Sequence, residues 1–566
     1  MAVQRFKVAL NNALFPLVST KAQRAAFVPG LDAAPRTPRT FMGEDESVDY
    51  NLSQVIYAEN VMPVAEGIHS VGYRQLIAPT VNEDFDSIFA LRDDQENTVL
   101  YSPAGGKNYV YDKTLGQWSS DPIEAVFGKT LAAGLDPANS KVTYCYVDGK
   151  TFVCFSRLKA TDNTDMSIMF WDPATKSLIP AGSLISNLPF AAGTIDGVSS
   201  SSGYLLVYSE LTVAWAFFNG TSFDYTIYAN GAFTGAGYQI AEDIQGNIRA
   251  VLGVPGGFMM FTDKNCVAAN YHAQSLVSPW VFREIPAAGG LESYEQATVE
   301  GTLGRVFAYT TAGMQSISLN SSESVFPNVS DFLAGRHIER YRYDLQELYQ
   351  GLVNLDFYTK LTVVGNRYIV VSYGTFPKIY SFALVYDLAL KRWGKLRQVH
   401  RDCFYYAYGA EVTALTYAAL GDVSYDNPDL TTYNATDGLS NAFVAAQHGL
   451  AFLKQNGEVV IANWSDQLRD TEDEAVAIIG RIQLSRARNV QLNRAEVEGL
   501  VSGRVYVQPS YNGRDLEAAI PLTVIEQGDD YQIVGGMVDA KNFNLVVHGT
   551  FDLSTIVLEG TQTGRI

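Results

Sequence analysis

The sequence predicts a mainly β protein: an irregular β-propeller joined to a β-sandwich-like platform domain, with one inserted helix. Three observations carry this expectation. Charged residues make up only 18% of the 566 residues while aromatics reach 12% and glycines number 47, a balance that favours short strands and many turns. Hairpin signals, two β-rich runs around a turn, recur through most of the chain. One strand–turn–strand phrase also occurs three times, as KNYVYDKTLGQW (Lys107–Trp118), IMFWDPATKSL (Ile168–Leu178) and FALVYDLALKRWGKL (Phe382–Leu396).

Residues 1–80 read as an extended N-terminal arm, part of the platform and of inter-subunit contacts. Pro16, Pro29, Pro35, Pro38, Pro63 and Pro79 exclude long helices and central strands there. Its apolar anchors in YAENVMPVAEGIHSVGYRQLI argue against a disordered tail. Residues 81–470 read as the propeller. VTYCYVDGKTFVCFS (Val142–Ser156) turns at Asp148-Gly149, and YLLVYSELTVAWAFFNGTSFDY (Tyr204–Tyr225) has a second turn at Asn219-Gly220. The stretches starting at Gly257, Gly304, Asn366 and Gly449 repeat the design. This gives roughly six or seven units of about 40–60 residues, the spacing of propeller blades.

In the repeated phrase the apolar run is a strand and the Asp (Asp112, Asp172, Asp387) opens a turn whose backbone N–H groups it can accept. Six positions on, Trp118, Leu178 or Trp393 starts the return strand and is expected to lie against the next blade. The phrase is therefore architectural, and a catalytic role for these carboxylates would need a partner acid at matching depth.

Near 331–353, DFLAGRHIERYRYDLQELYQGLV places Ile338, Tyr341, Leu345, Leu348 and Leu352 on one helical face, with Ser330 or Asp331 as cap. SDQLRDTEDEA (Ser465–Ala475) is a charged boundary. From 475 to 566 the runs lengthen and alternate apolar with polar residues, with turns at Asn512-Gly513 and Gly528-Asp529, as in a sandwich.

The net charge of −19 argues against a nucleic-acid-gripping surface. Four cysteines are too few for a disulfide framework. They read as apolar filler, although Cys145 and Cys154 flank one hairpin turn and could lie close together. Asn11 and Asn12 interrupt the N-terminal apolar stretch, so neither a signal peptide nor a membrane-spanning segment is expected, and folding in a cytoplasm is. The six His show no zinc spacing, and there is no CxxC, nucleophile elbow or phosphate-binding loop. GVPGGF (Gly253–Phe258) joins strands and reads as a turn. Asp470, Glu472, Asp473 and Glu474 read as a solvated linker, while SYDNPD (Ser424–Asp429) leaves calcium open. No catalytic, cofactor-binding or metal residue is assigned, no cofactor is expected, and the chain is not read as an enzyme.

Several stretches together resemble the tail nozzle proteins (tail tubular protein B, or stabilisation proteins) of short-tailed bacteriophages. They are PLVSTKAQRAAFVPG (Pro16–Gly30), YAENVMPVAEGIHSVGY (Tyr57–Tyr73), FPNVSDFLA (Phe326–Ala334), FALVYDLALKRWGKL, and the C-terminal FNLVVHGTFDLSTIVLEGTQTGRI. The resemblance implies a virion structural protein of a podovirus tail, assembled in the host cytoplasm. Such a protein forms a homo-oligomeric ring, hexameric in this family, below the portal and its tail adaptor. Phage DNA passes through the lumen at ejection without specific binding, and tail fibres or receptor-binding proteins attach at the flank. An acidic lumen suits sliding DNA. A carbohydrate-binding or polysaccharide-degrading β-propeller is the alternative, since the many Tyr and Trp suit sugar stacking.

Overall fold

The computed structural model describes residues 3–9 and most of 55–563; the larger stretches outside the described residues are 10–54, 123–140, 157–167, 330–357, 409–446 and 465–474. The expected helix near 331–353, the charged boundary, SYDNPD and the Asn512-Gly513 turn fall outside the described residues. What is described is almost entirely antiparallel strand with a few short 3-10 turns.

Six separate four-stranded sheets, and a further four-strand run inside an eleven-stranded sheet, make seven blades. In chain order they occupy residues 89–122, 142–180, 195–240, 248–284, 297–324, 358–400 and 402–463, numbered here as blades 1 to 7. The outermost strand of blade 7 is Gly72–Ile77, from far earlier in the chain; it pairs with Val459–Asn463. An N-terminal strand thus fastens the last blade.

Side-chain parity explains how the blades join. On one strand of blade 3, Leu205 and Val207 enter the core shared with blade 2, whereas Leu206 and Tyr208 enter the core shared with blade 4. In blade 4, Met259 and Phe261 face blade 5 while Phe258 and Met260 face blade 3. Both sheet faces are covered, so such strands are continuous apolar runs without alternation. Seven clusters of this kind link each blade to the next. The last joins Phe404, Ala451 and Ile461 of blade 7 to Leu100, Tyr109 and Trp118 of blade 1 and closes the ring.

The three copies of the repeated phrase are the hairpins between the third and fourth strands of blades 1, 2 and 6. Their registers coincide: Tyr111 faces Trp118, Trp171 faces Leu178, and Tyr386 faces Trp393. Asp387 Oδ1 accepts the N–H groups of Ala389 (2.8 Å) and Leu390 (3.0 Å), and Asp172 Oδ1 accepts that of Ala174 (3.1 Å). Two expectations need correction. The prolines predict no central strand in residues 1–80, yet Val61–Val64, with Pro63, lies between Gly67–Ser70 and Arg392–His400 inside the eleven-stranded sheet; on the Arg392–His400 side it makes a single register pair, Val61 with Lys395, so Pro63 interrupts no long ladder there. The other concerns the repeated phrase. Trp118, Leu178 and Trp393 pack in the cores shared with the preceding blade, not the next one. The strand parity that pairs each with an aromatic residue on the third strand fixes that side.

The remaining strands form the sandwich. One sheet runs Val3–Ala9, Thr555–Gln562, Val490–Glu498, Tyr531–Ala540, Thr523–Gln527. The facing strands are Val55–Glu59, Ala475–Ile482, Asn542–Leu553, Leu500–Ser510 and Ile520–Pro521. Leu492, Val497 and Leu558 of the first meet Ala477, Val505 and Leu545 of the second in a buried interior.

The joint between the two parts is a continuation of sheet and core. Leu553 pairs with Ile68, Ser70 with Val61, and Val61 with Lys395 on the outer strand of blade 6. Gly394 is required here, because a Cβ on it would stand 2.3 Å from Met62 Sδ and 2.8 Å from the Val61 carbonyl oxygen. Around the joint Arg397 Nη1 meets Glu59 Oε1 at 3.0 Å, and Asn60 Oδ1 accepts the Arg397 N–H at 2.8 Å. Burial there holds the Lys395 ammonium down at about 8, against the pull of Glu59.

Candidate functional site

Two places gather side chains of chemical interest. The first is where the innermost strands of blades 5, 6, 7 and 1 converge. Lys360, on the inner strand Tyr358–Val364 of blade 6, has its Nζ 2.8 Å from Asp402 Oδ1 and 3.8 Å from Glu295 Oε1. Asp402 opens the inner strand of blade 7; its Oδ2 accepts the Ile88 N–H (3.1 Å) just before blade 1, and its Oδ1 accepts the Cys403 N–H (2.8 Å). Glu295 lies in the 3-10 turn Tyr294–Gln296 that leads into blade 5, and its Oε2 accepts the Tyr380 hydroxyl at 3.1 Å. A capping box between Ser293 and Gln296 fixes that turn.

This arrangement ties a buried carboxylate to donors from three blades. Asp402 gives three of its roughly four acceptor sites to two backbone N–H groups and one ammonium, so most of its hydrogen-bonding capacity goes to holding the seam. His400, beside it in sequence, is equally engaged. Its Nδ1 lies 2.6 Å from the Gln398 carbonyl oxygen, an acceptor only, so Nδ1 carries the proton and Nε2 accepts from Ser372 Oγ at 2.7 Å. Burial, with Lys360 adding to it against the Gln398 hydrogen bond, lowers the imidazole to about 4 and keeps it neutral. The cluster does what a seam requires: it locks blades 5, 6, 7 and 1 around the axis.

The second place is an aromatic shelf between blades 3 and 4. Tyr204 lies 5.5 Å from Trp280, 6.0 Å from Tyr271 and 6.0 Å from Phe217, ring centre to ring centre. Phe217 is 44% and Tyr271 37% exposed, so part of the shelf faces water. Burial, then Tyr271, pushes the Tyr204 hydroxyl up to about 12. The Trp280 indole N–H is buried without a hydrogen-bond partner.

Elsewhere the chemistry is spent on structure. Cys145, Cys154, Cys266 and Cys403 are buried free thiols, and burial raises Cys403 to about 12. Gly253–Phe258 is the tight turn between the first two strands of blade 4, where Val254 pairs with Gly257. His69 Nδ1 sits 3.0 Å from the Trp464 carbonyl oxygen and 3.3 Å from Asp552. Among the described residues no group of His, Cys, Asp and Glu is placed to hold a metal ion. No helix among them is long and apolar enough to cross a membrane.

Sequence reasoning did not find the seam cluster. Residues 295, 360 and 402 share no local spacing, and only the stacking of blades 5, 6 and 7 brings them together. The one local signal is a lysine inside the otherwise apolar strand YTKLTVV.

No family model matches the chain, and no curated protein does. Among solved structures it is similar to an extracellular domain from B. thetaiotaomicron, at 9% identity and TM-score 0.35 over 81% of this chain. The chain spans about half, 48%, of that protein's length. It is also similar to a catalytically inactive virginiamycin B lyase from Staphylococcus aureus, at 6% identity and TM-score 0.35, covering 70% of this chain and 99% of that one. A third is the Malassezia sympodialis allergen Mala s 1, at 9% identity and TM-score 0.28, covering 70% and 98%. At such scores none of these carries a functional argument.

Proposed function

We propose that this chain is the nozzle protein of a short phage tail. It assembles into a ring, meets a tail adaptor above, conducts DNA through its lumen during ejection, and anchors fibres or receptor-binding proteins on its flank. The observation that carries this reading is the shared core. Leu384 and Trp393 of blade 6 and Leu545 and Val547 of the sandwich belong to one buried cluster, and one sheet runs from part to part. A ring built through the sandwiches would hold every propeller stiffly, as a conduit under DNA pressure requires. The ionisable groups at the propeller seam are consumed in holding blades together, which also suits a mechanical part. Mass measurement of the purified protein, alone and mixed with an adaptor ring, tests the reading. A closed oligomer in at least one condition is expected; a monomer in both overturns it.

The aromatic shelf of Tyr204, Phe217 and Tyr271 supports a second reading, a carbohydrate-binding or polysaccharide-degrading propeller. Incubation with host polysaccharide and assay for new reducing ends separates the two: the nozzle reading expects none. In an assembled ring the nozzle reading also expects carboxylates to outnumber Lys and Arg along the bore, so that phosphates are not held.

A further inference from the structure

The five-stranded sheet of the sandwich ends in two unlike edges. At one end, all five residues of Thr523–Gln527 are exposed. Val524 is 45% and Ile525 64% exposed, and Met537 on the neighbouring strand reaches 86%. Among the described residues the strand pairs on one side only, with Gln532–Gly535. An apolar, open strand edge is a site for strand addition unless something covers it. At the other end, Val3–Ala9 pairs, among the described residues, only with Thr555–Gln562.

The two edges match in charge and direction. The strand TVIEQ (Thr523–Gln527) carries one carboxylate, Glu526, and no cation, whereas VQRFKVA (Val3–Ala9) carries Arg5 and Lys7 and no carboxylate. Every pairing in this sheet is antiparallel, so with five strands the two edge strands run in the same direction. A rotation about an axis along the strands brings one edge beside the other in parallel.

We propose that a second copy of this chain docks its Val3–Ala9 strand in parallel on the Thr523–Gln527 edge, so that the sheet runs on from subunit to subunit. The inference rests on the ring reading above and names its interface. Unlike edges joined by rotation form a head-to-tail contact, the kind that closes into rings. Pairing of Thr523–Gln527 with its own copy would instead be antiparallel about a two-fold axis, and would set like-charged Glu526 side chains on one shared edge.

Cysteine cross-linking of the full chain tests this, since the four native thiols are buried. Phe6→Cys with Ile525→Cys, mildly oxidised, should give a ladder of covalent oligomers ending at ring size, and neither single variant should. A covalent dimer from Ile525→Cys alone overturns the proposal in favour of the two-fold pairing. Arg5→Glu with Lys7→Glu should weaken assembly roughly tenfold. Adding Glu526→Lys should restore part of it, a rescue that misfolding would not give. A protein whose mass is that of a ring but which yields no ladder overturns the edge pairing and leaves the ring standing. A monomer in mass, with no ladder, overturns both.

Discussion

The propeller and the sandwich spend their apolar surface differently. In blade 4 every residue of Gly257–Thr262 is buried, because the sheet has a neighbour on each face. In the sandwich Val490–Glu498 alternates buried and half-buried positions, because only one face has a partner. Blade 7 meets blade 1 and no blade face is left over. The sandwich keeps outer faces, and at Thr523–Gln527 an open edge. A part that completes itself needs no partner to fold, whereas a part left unfinished marks where one attaches. On the proposed ring reading, assembly falls to the sandwich and structural integrity to the propeller, with blade 6 joining them.

The largest expected effect comes from breaking that joint. Trp393 is fully buried, in the core shared by blades 5 and 6 and the sandwich. Trp393→Ala should cost about 3–5 kcal/mol. Calorimetry should show one transition for the native chain and one, shifted downward, for the variant. Two separate transitions in the native chain would break the comparison, since the parts would then be independent bodies. A variant in which only the sandwich melts early would sharpen it, by placing the weaker side of the joint.

A second test concerns the seam between blades 6 and 7. His400 is buried and neutral, lowered from 6.5 to about 4. Between those values the unfolded chain binds a proton that the folded chain does not, so stability falls as the pH drops. The contribution is fully present above about pH 6.5 and is lost by about pH 4. It amounts to about 3 kcal/mol over the window. Urea melts at stepped pH should show a steeper acid loss in the native protein than in His400→Gln, which cannot titrate. Equal slopes would mean that the seam opens to water before the ring does.

The same contrast explains what the sequence disclosed. The hairpins singled out from Gly257, Gly304, Asn366 and Gly449 are the second and third strands of blades 4 to 7, the central pair of each sheet. Covered on both faces, they carry the longest apolar runs. Inner strands such as Ala297–Glu300 and outer ones such as Ser322–Ser324 are shorter and more polar, so the blade count stayed between six and seven. That Gly72–Ile77 serves blade 7 was illegible, because strand exchange across nearly 400 residues leaves no local pattern. The seam of Glu295, Lys360 and Asp402 was hidden for the same reason. The turn chemistry of Asp172 and Asp387 was legible because an Asp accepts N–H groups two and three residues on, wherever the hairpin lies.

The smallest effect separates turn chemistry from burial within the repeated phrase. Asp172 is partly exposed; its carboxyl is held below the usual range by the Thr175 hydroxyl and the Ala174 N–H. Asp387 makes the same turn bonds but is buried, and its Oδ2 also takes Arg367 at 3.1 Å. The turns are alike, so Asp172→Ala and Asp387→Ala differ chiefly in what each leaves behind. Removing Asp387 leaves the partly buried N–H groups of Ala389 and Leu390 and the guanidinium of Arg367 without their buried carboxylate, a loss of about 2 kcal/mol. Solvent replaces the bonds of Asp172, and its midpoint in urea should barely move. Both variants should keep the native denaturant slope, since neither alters the surface exposed on unfolding. Equal losses would show that the turn itself, and not its depth in the blade, sets the cost; the asymmetry expected here ties the deeper copy to blade 6, where the propeller meets the sandwich.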